Sequence, residues 1–202
     1  MIQYLIVCPL VFVAGLVDSI AGGGGLIALP AYLIAGVPAH MALGTNKMSS
    51  AMGTVVSTAR FARNGYLRGK MLMAACSAAA ALIGSALGAH LALMVSEEII
   101  KHMMIVVLPI VAFYVLRNKD MGENEKTGTI PQVKVFAICI AAAFFIGGYD
   151  GFYGPGTGTF LILILTGAAR LDTRSASAQT KVINLSSNIA ALVTFIATGN
   201  VF

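Results

Sequence analysis

What this chain lacks most is charge. Only 10% of its 202 residues are Asp, Glu, Lys or Arg, where a soluble domain carries about 25%. So little charge cannot cover a water-exposed surface, which excludes a soluble domain and leaves the lipid bilayer as the expected solvent. Cysteine is scarce as well. Cys8, Cys76 and Cys139 are scattered through apolar runs without metal or redox spacing, so they read as small buried hydrophobes. His40, His90 and His102 fall in three separate segments without ligand spacing, so neither a metal site nor a cofactor is expected. No Ser–His, zinc or carboxylate-pair motif points to an enzyme. The net charge of +5 does not point to nucleic acid either, because no soluble basic domain carries it. The basic residues sit at the ends of apolar segments, where the positive-inside rule places them.

What is present is a series of long apolar runs. Residues 1–17 precede the first charge, residues 71–96 contain no Asp, Glu, Lys or Arg, and residues 102–116 and 135–149 follow. About 20 apolar residues at 1.5 Å rise span the hydrocarbon core. The first run has no basic residue ahead of it and reads as a retained span, not a signal peptide. The expected fold is therefore all-α, a polytopic helical membrane protein.

Almost all the charges fall between the apolar runs. Arg60, Arg63, Arg68 and Lys70 form an acid-free loop. Glu97, Glu98 and Lys101 are expected to form a short second loop. The stretch 117–134 is a hydrophilic linker, and Arg170, Asp172 and Arg174 make a third short loop. Four charged residues remain, Asp18, Lys47, Asp150 and Lys181, within or beside apolar segments. An ionisable residue inside a membrane costs about 2.5–3.5 kcal/mol on insertion scales and is by default a functional candidate.

These four form a pattern. Asp18 lies in "GLVDSIAGGGG" and Asp150 in "GGYDGFYGPGTG"; an offset of 132 residues aligns them and also pairs Gly15 with Gly147, Gly22 with Gly154 and Gly24 with Gly156. Lys47 in "GTNKMSS" and Lys181 in "AQTKVIN" align at an offset of 134. The chain thus carries an internal repeat with its intramembrane charges at matching places. Four consecutive glycines at 22–25, and "GPGTG" at 154–158, should unwind a helix. Each is followed by an apolar run of about 11 residues, half the hydrocarbon thickness. The expectation is a broken helix in each copy.

With the Arg60–Lys70 loop in the cytoplasm, five hydrophobic elements precede the linker. An odd number inverts the second copy relative to the first, the plan of many secondary transporters. The expected division is a first transmembrane repeat at 1–117, a cytoplasmic linker at 118–133 and a second repeat at 134–202. The first copy continues for two elements past its lysine helix, while the second ends just after its own. The second repeat is therefore expected to be incomplete, its last helices missing, in a piece of a longer protein. Gly84 and Gly88 offer a small-xxx-small face for close helix packing.

The motifs "GLVDSIAGGGGLIALPAYLIAGVPAHMALGTNKMSS", "GGYDGFYGPGTGTFLIL" and "SASAQTKVINLSSNIAALVTFIATGNV" strongly resemble the two halves of the sulfite exporter TauE/SafE family. The resemblance covers the chain apart from the linker. It implies an integral bacterial inner-membrane transporter of sulfite, organosulfonates or related sulfur oxoanions.

The residues themselves agree with an anion permease. Gly22, Gly23, Gly24, Gly154 and Gly156 would free backbone N–H groups at half-helix N-termini, whose positive dipole ends suit an oxyanion. Lys47 and Lys181 would supply cationic charge. Thr45, Asn46, Gln179, Thr180 and Asn184 would supply neutral contacts, or else only interhelical hydrogen bonds. Asp18 and Asp150 would pair with the lysines, carry a coupling proton, or cap the breaks. The expected partners are the bilayer and a small anion. The alternative reading is a cation (metal or proton) transporter or channel using Asp18 and Asp150.

Overall fold

A computed structural model of the chain describes residues 2–21, 24–117 and 130–201. Within them are eight helices and no strand: α1 (Ile2–Ala21), α2 (Gly25–Ile34), α3 (Ala39–Arg63), α4 (Met71–Met94), α5 (Glu97–Arg117), α6 (Gln132–Phe152), α7 (Thr157–Gly167) and α8 (Thr173–Ala197). The stretches Met71–Met94, Glu97–Val115, Gln132–Phe152 and Thr173–Ala197 are long and apolar enough to cross a membrane. The protein is a multi-pass helical membrane protein.

The helix boundaries follow local chemistry. α3 and α6 start directly after Pro38 and Pro131, whose rings fix φ and whose missing N–H is no loss at a helix start. α8 is capped by Asp172, just ahead of its first residue; the Asp172 carboxylate accepts the Ser175 N–H at 2.9 Å. α3 ends with Arg60 and Arg63 in its last turn, where cations oppose the helix dipole, and with Gly65 at φ +78° just beyond. Several charged residues expected in loops lie in helices instead: Arg60 and Arg63 end α3, and Arg174 falls in the first turn of α8. Glu97, Glu98 and Lys101 are not a loop; they lie in α5 from its first residue. Two carboxylates in a first turn are stabilised by the helix dipole, so they start the helix rather than interrupt it.

Both glycine-rich stretches end helices. α1 stops at Ala21 and α2 begins at Gly25; Gly22 and Gly23 lie outside the described residues. α6 stops at Phe152, and α7 begins at Thr157 after Gly156, which adopts φ +82°. The second break is interior, not a surface turn: Gly151, Tyr153, Pro155, Gly156 and Thr157 are all buried. After each break the chain doubles back. Gly24 returns against Ala14 and Asp18 of α1. Beyond α7, Ala169 and Leu171 join Met73 and Val135, near the start of α6.

Glycines set the tightest contact, between α4 and α6. A Cβ on Gly84 would collide with the Phe144 carbonyl, one on Gly88 with that of Gly148, and one on Gly151 with that of Ser85. Without a hydrophobic force between helices in lipid, such close backbone packing is what holds them together. α8 lies along α4 in the same direction, since Lys70 bonds Ser175 and Ser85 bonds the Ser187 carbonyl. α3 runs opposite to α8, with Thr58 donating to the Lys181 carbonyl at 3.1 Å and Gly44 against Phe195 and Asn200.

Candidate functional site

α3, α6 and α8 bring three of the four intramembrane charges into the middle of the bundle, and α1 brings the fourth. The closest pair joins the two copies of the repeat. Lys47 on α3 donates to Asp150 on α6, Nζ to Oδ1, at 2.8 Å, with both side chains at most 3% exposed. A buried charge without a partner is costly, so each holds the other in place. The Asp150 carboxylate is saturated from other sides as well. Thr157, in the first turn of α7, donates to Oδ1 at 2.9 Å, and Ser187 on α8 donates to Oδ2 at 2.6 Å. Gly154 closes against this pair. A Cβ there would lie 2.6 Å from the Lys47 ammonium, and its φ of +101° disfavours any other residue.

The second lysine is held differently. Lys181 on α8 is half-buried and donates to the main-chain carbonyl of Asp18 at 3.4 Å. Among the described residues no carboxylate lies within 4.0 Å of its ammonium. The Asp18 carboxylate instead accepts the Gly24 N–H at 3.1 Å and so caps the break ahead of α2. The two aspartates thus do different work, one as ion-pair partner and one as cap.

The two breaks meet. Gly25, the first residue of α2, packs against Pro155 and Asn46, and Gly156 precedes α7. Two helix N-termini therefore approach each other beside the Lys47–Asp150 pair, each presenting the positive end of its helix dipole. Two small cavities flank this meeting point. One, of about 60 Å³, is lined by Asp18, Gly24, Asn46, Ser50, Ser57 and Lys181 among others. The other, of about 10 Å³, lies among Lys47, Asp150, Gly154, Gly156, Asn184 and Asn188; it holds at most one water.

Of the residues singled out in the sequence, Asn46, Lys47, Asn184, Gly24, Gly154, Gly156, Asp18, Asp150 and Lys181 line one cavity or the other. Thr45, Gln179 and Thr180 line neither. Gln179 and Thr180 are fully buried, and among the described residues the Gln179 amide atoms and the Thr180 hydroxyl have no hydrogen-bond partner. Gly22 and Gly23 lie outside the described residues. Sequence reading missed Ser50, Thr157, Ser187 and Asn188. A signal for three of them was available: Thr180, Asn184, Ser187 and Asn188 form a polar stripe at helical spacing on α8, and Thr157 sits within the second glycine-rich break.

The sulfite exporter TauE/SafE family model matches residues 7–202. A probable membrane transporter protein, ORF9, of a Sinorhizobium species is 38% identical over 94% of this chain and 71% of its own length. A probable membrane transporter protein of Haemophilus influenzae is 33% identical over 94% of this chain and 72% of its own. The probable membrane transporter protein YfcA of Escherichia coli K12 is 32% identical over 100% of this chain and 74% of its own. No solved structure gives a significant match.

Proposed function

The chain belongs to the sulfite exporter TauE/SafE family of membrane transporters, and from that premise we propose that it moves a small anion, sulfite or an organosulfonate, across the bacterial inner membrane. The observation that carries this reading is the convergence of two lysines and two half-helix N-termini on one buried region. Positive ends of interrupted helices aimed at a bilayer-depth cavity are how transporters receive anionic groups. The two copies of the motif act as an inverted pair, with 1–117 and 134–202 as its halves. The antiparallel contact of α3 with α8, and the crossing of Lys47 to Asp150, support that arrangement. The positive residues Arg60, Arg63, Arg68 and Lys70, at the end of α3 and in the turn before α4, and the 118–133 linker then face the cytoplasm.

The test is flux. Purified protein in proteoliposomes should show saturable uptake of sulfite or of a small sulfonate, reduced by Lys181→Met at equal protein density. Uptake of metal ions with no movement of any sulfur oxoanion would favour the cation reading through Asp18 and Asp150 and overturn this one.

A further inference from the structure

The two lysine sites are unequal, and the inequality assigns them different work. Lys47 is consumed by Asp150, and only about 10 Å³ remains beside the pair. Among the described residues Lys181 hydrogen-bonds only a main-chain carbonyl, and a cavity of about 60 Å³ lies in front of it. At roughly 10–15 Å³ of such space per water, that is room for a few waters or one small ion. It suits a small oxyanion with three oxygens on one centre. Asn46 and Ser50 of α3 face the same space and can donate to the remaining oxygens.

The wall of this cavity also contains a carboxylate, Asp18. The charged groups that face Asp18 are Lys181 on α8, Asp150 on α6 and Lys47 on α3. With Asp18 ionised, the side-chain charges of Lys47, Asp150, Lys181 and Asp18 sum to zero, leaving only the positive helix ends. A monoanion entering the cavity would place two negative groups side by side in a medium of low dielectric, where like charges are strongly opposed.

We propose, building on the anion-transport reading above, that the anion binds at Lys181, Asn46 and Ser50 together with one proton taken up from water by Asp18. The step balances: the anion and H⁺ enter, and the Asp18 carboxylate becomes a carboxylic acid. The geometry accommodates it. One oxygen, Oδ1, keeps its bond from the Gly24 N–H. The other gains an O–H that can donate to the anion instead of repelling it. The substrate and a proton therefore travel together, and the Lys47–Asp150 pair is a fixed strut rather than a second anion subsite.

The experiment is calorimetric titration of the full chain in detergent with methanesulfonate, an anion that does not itself titrate near neutrality. Repeating it in buffers of different ionisation enthalpy counts the protons exchanged. The wild type should take up about one proton per anion, with affinity falling up to about tenfold per pH unit. Asp18→Asn should bind with no proton uptake and no pH dependence. Lys181→Met should bind at least about thirtyfold more weakly, and Ser50→Val should weaken binding while keeping the proton count. A wild type that binds without proton uptake, an Asp18→Asn protein that still takes up a proton, or Lys181→Met binding at wild-type strength overturns the proposal and leaves anion transport standing. A wild type that binds neither methanesulfonate nor sulfite overturns both.

Discussion

Removing the Lys47 ammonium should damage the fold before it damages transport. In Lys47→Met the side chain keeps nearly the same length, so the packing of α3 is preserved. Asp150 is left buried, 3% exposed, without its cation. Breaking a buried ion pair from one side costs about 3–5 kcal/mol. Asp150 keeps hydroxyl bonds from Thr157 and Ser187, which places the expected loss at the low end, about 3 kcal/mol. For a chain of this size that is a fall in melting temperature of roughly 6–12 °C. Adding Asp150→Asn removes the orphaned charge and should restore most of the loss, because replacing both members of a buried pair is often neutral. Lys47→Arg should not rescue, since the ammonium already lies 2.6 Å from where a Cβ on Gly154 would be and a forked guanidinium needs more room. The assay is thermal melting of purified protein in detergent, followed by circular dichroism, with membrane abundance as a second readout. If the single variant melts with the wild type, or the double variant melts as early as the single, the pair is not the strut described here.

Gly154→Ala should lower both stability and flux, because φ +101° is unfavourable for alanine by about 1–2 kcal/mol; melting and proteoliposome uptake at normal abundance check it. Gly84→Val should separate α4 from α6, since a Cβ there meets the Phe144 carbonyl, with a loss of about 1–3 kcal/mol from overpacking that melting would register. At Asp172, burial alone would raise the carboxyl pKa, but the bonds from Ser175 and the nearby Lys70 outweigh it and hold the pKa below its ordinary 3.8. The cap therefore contributes fully above pH 3.8 and is lost as pH falls through the depressed value. Asp172→Ala should cost about 1 kcal/mol at neutral pH, and a melting series should show that difference vanishing only below pH 3.8. Cysteine placed at 65 should be labelled from the cytoplasmic side and cysteine at 97 from outside, with a membrane-impermeant maleimide; the reverse pattern would invert the topology.

The composition and spacing of the chain determined its class and its parts. Ten per cent charge required lipid as solvent, and Pro38, Pro131 and the two glycine-rich stretches marked where helices start or break. The four charges stood out because in an apolar run each one is energetically conspicuous. Partner choice was different. The repeat aligns Asp18 with Asp150 and Lys47 with Lys181, yet symmetry of sequence does not say which lysine meets which carboxylate. Only the packing decided that Lys47 reaches across to Asp150 while Lys181 rests on the Asp18 main chain. Glu97 and Glu98 misled as loop residues because charge marks both a helix's first turn and a loop, and only the backbone tells them apart. Gln179 and Lys181 are near neighbours in sequence, but a helix turns about 100° per residue. Which of them faces a cavity and which faces a neighbouring helix depends on what α8 packs against, and that is set by contacts with α3 and α4, distant in the chain.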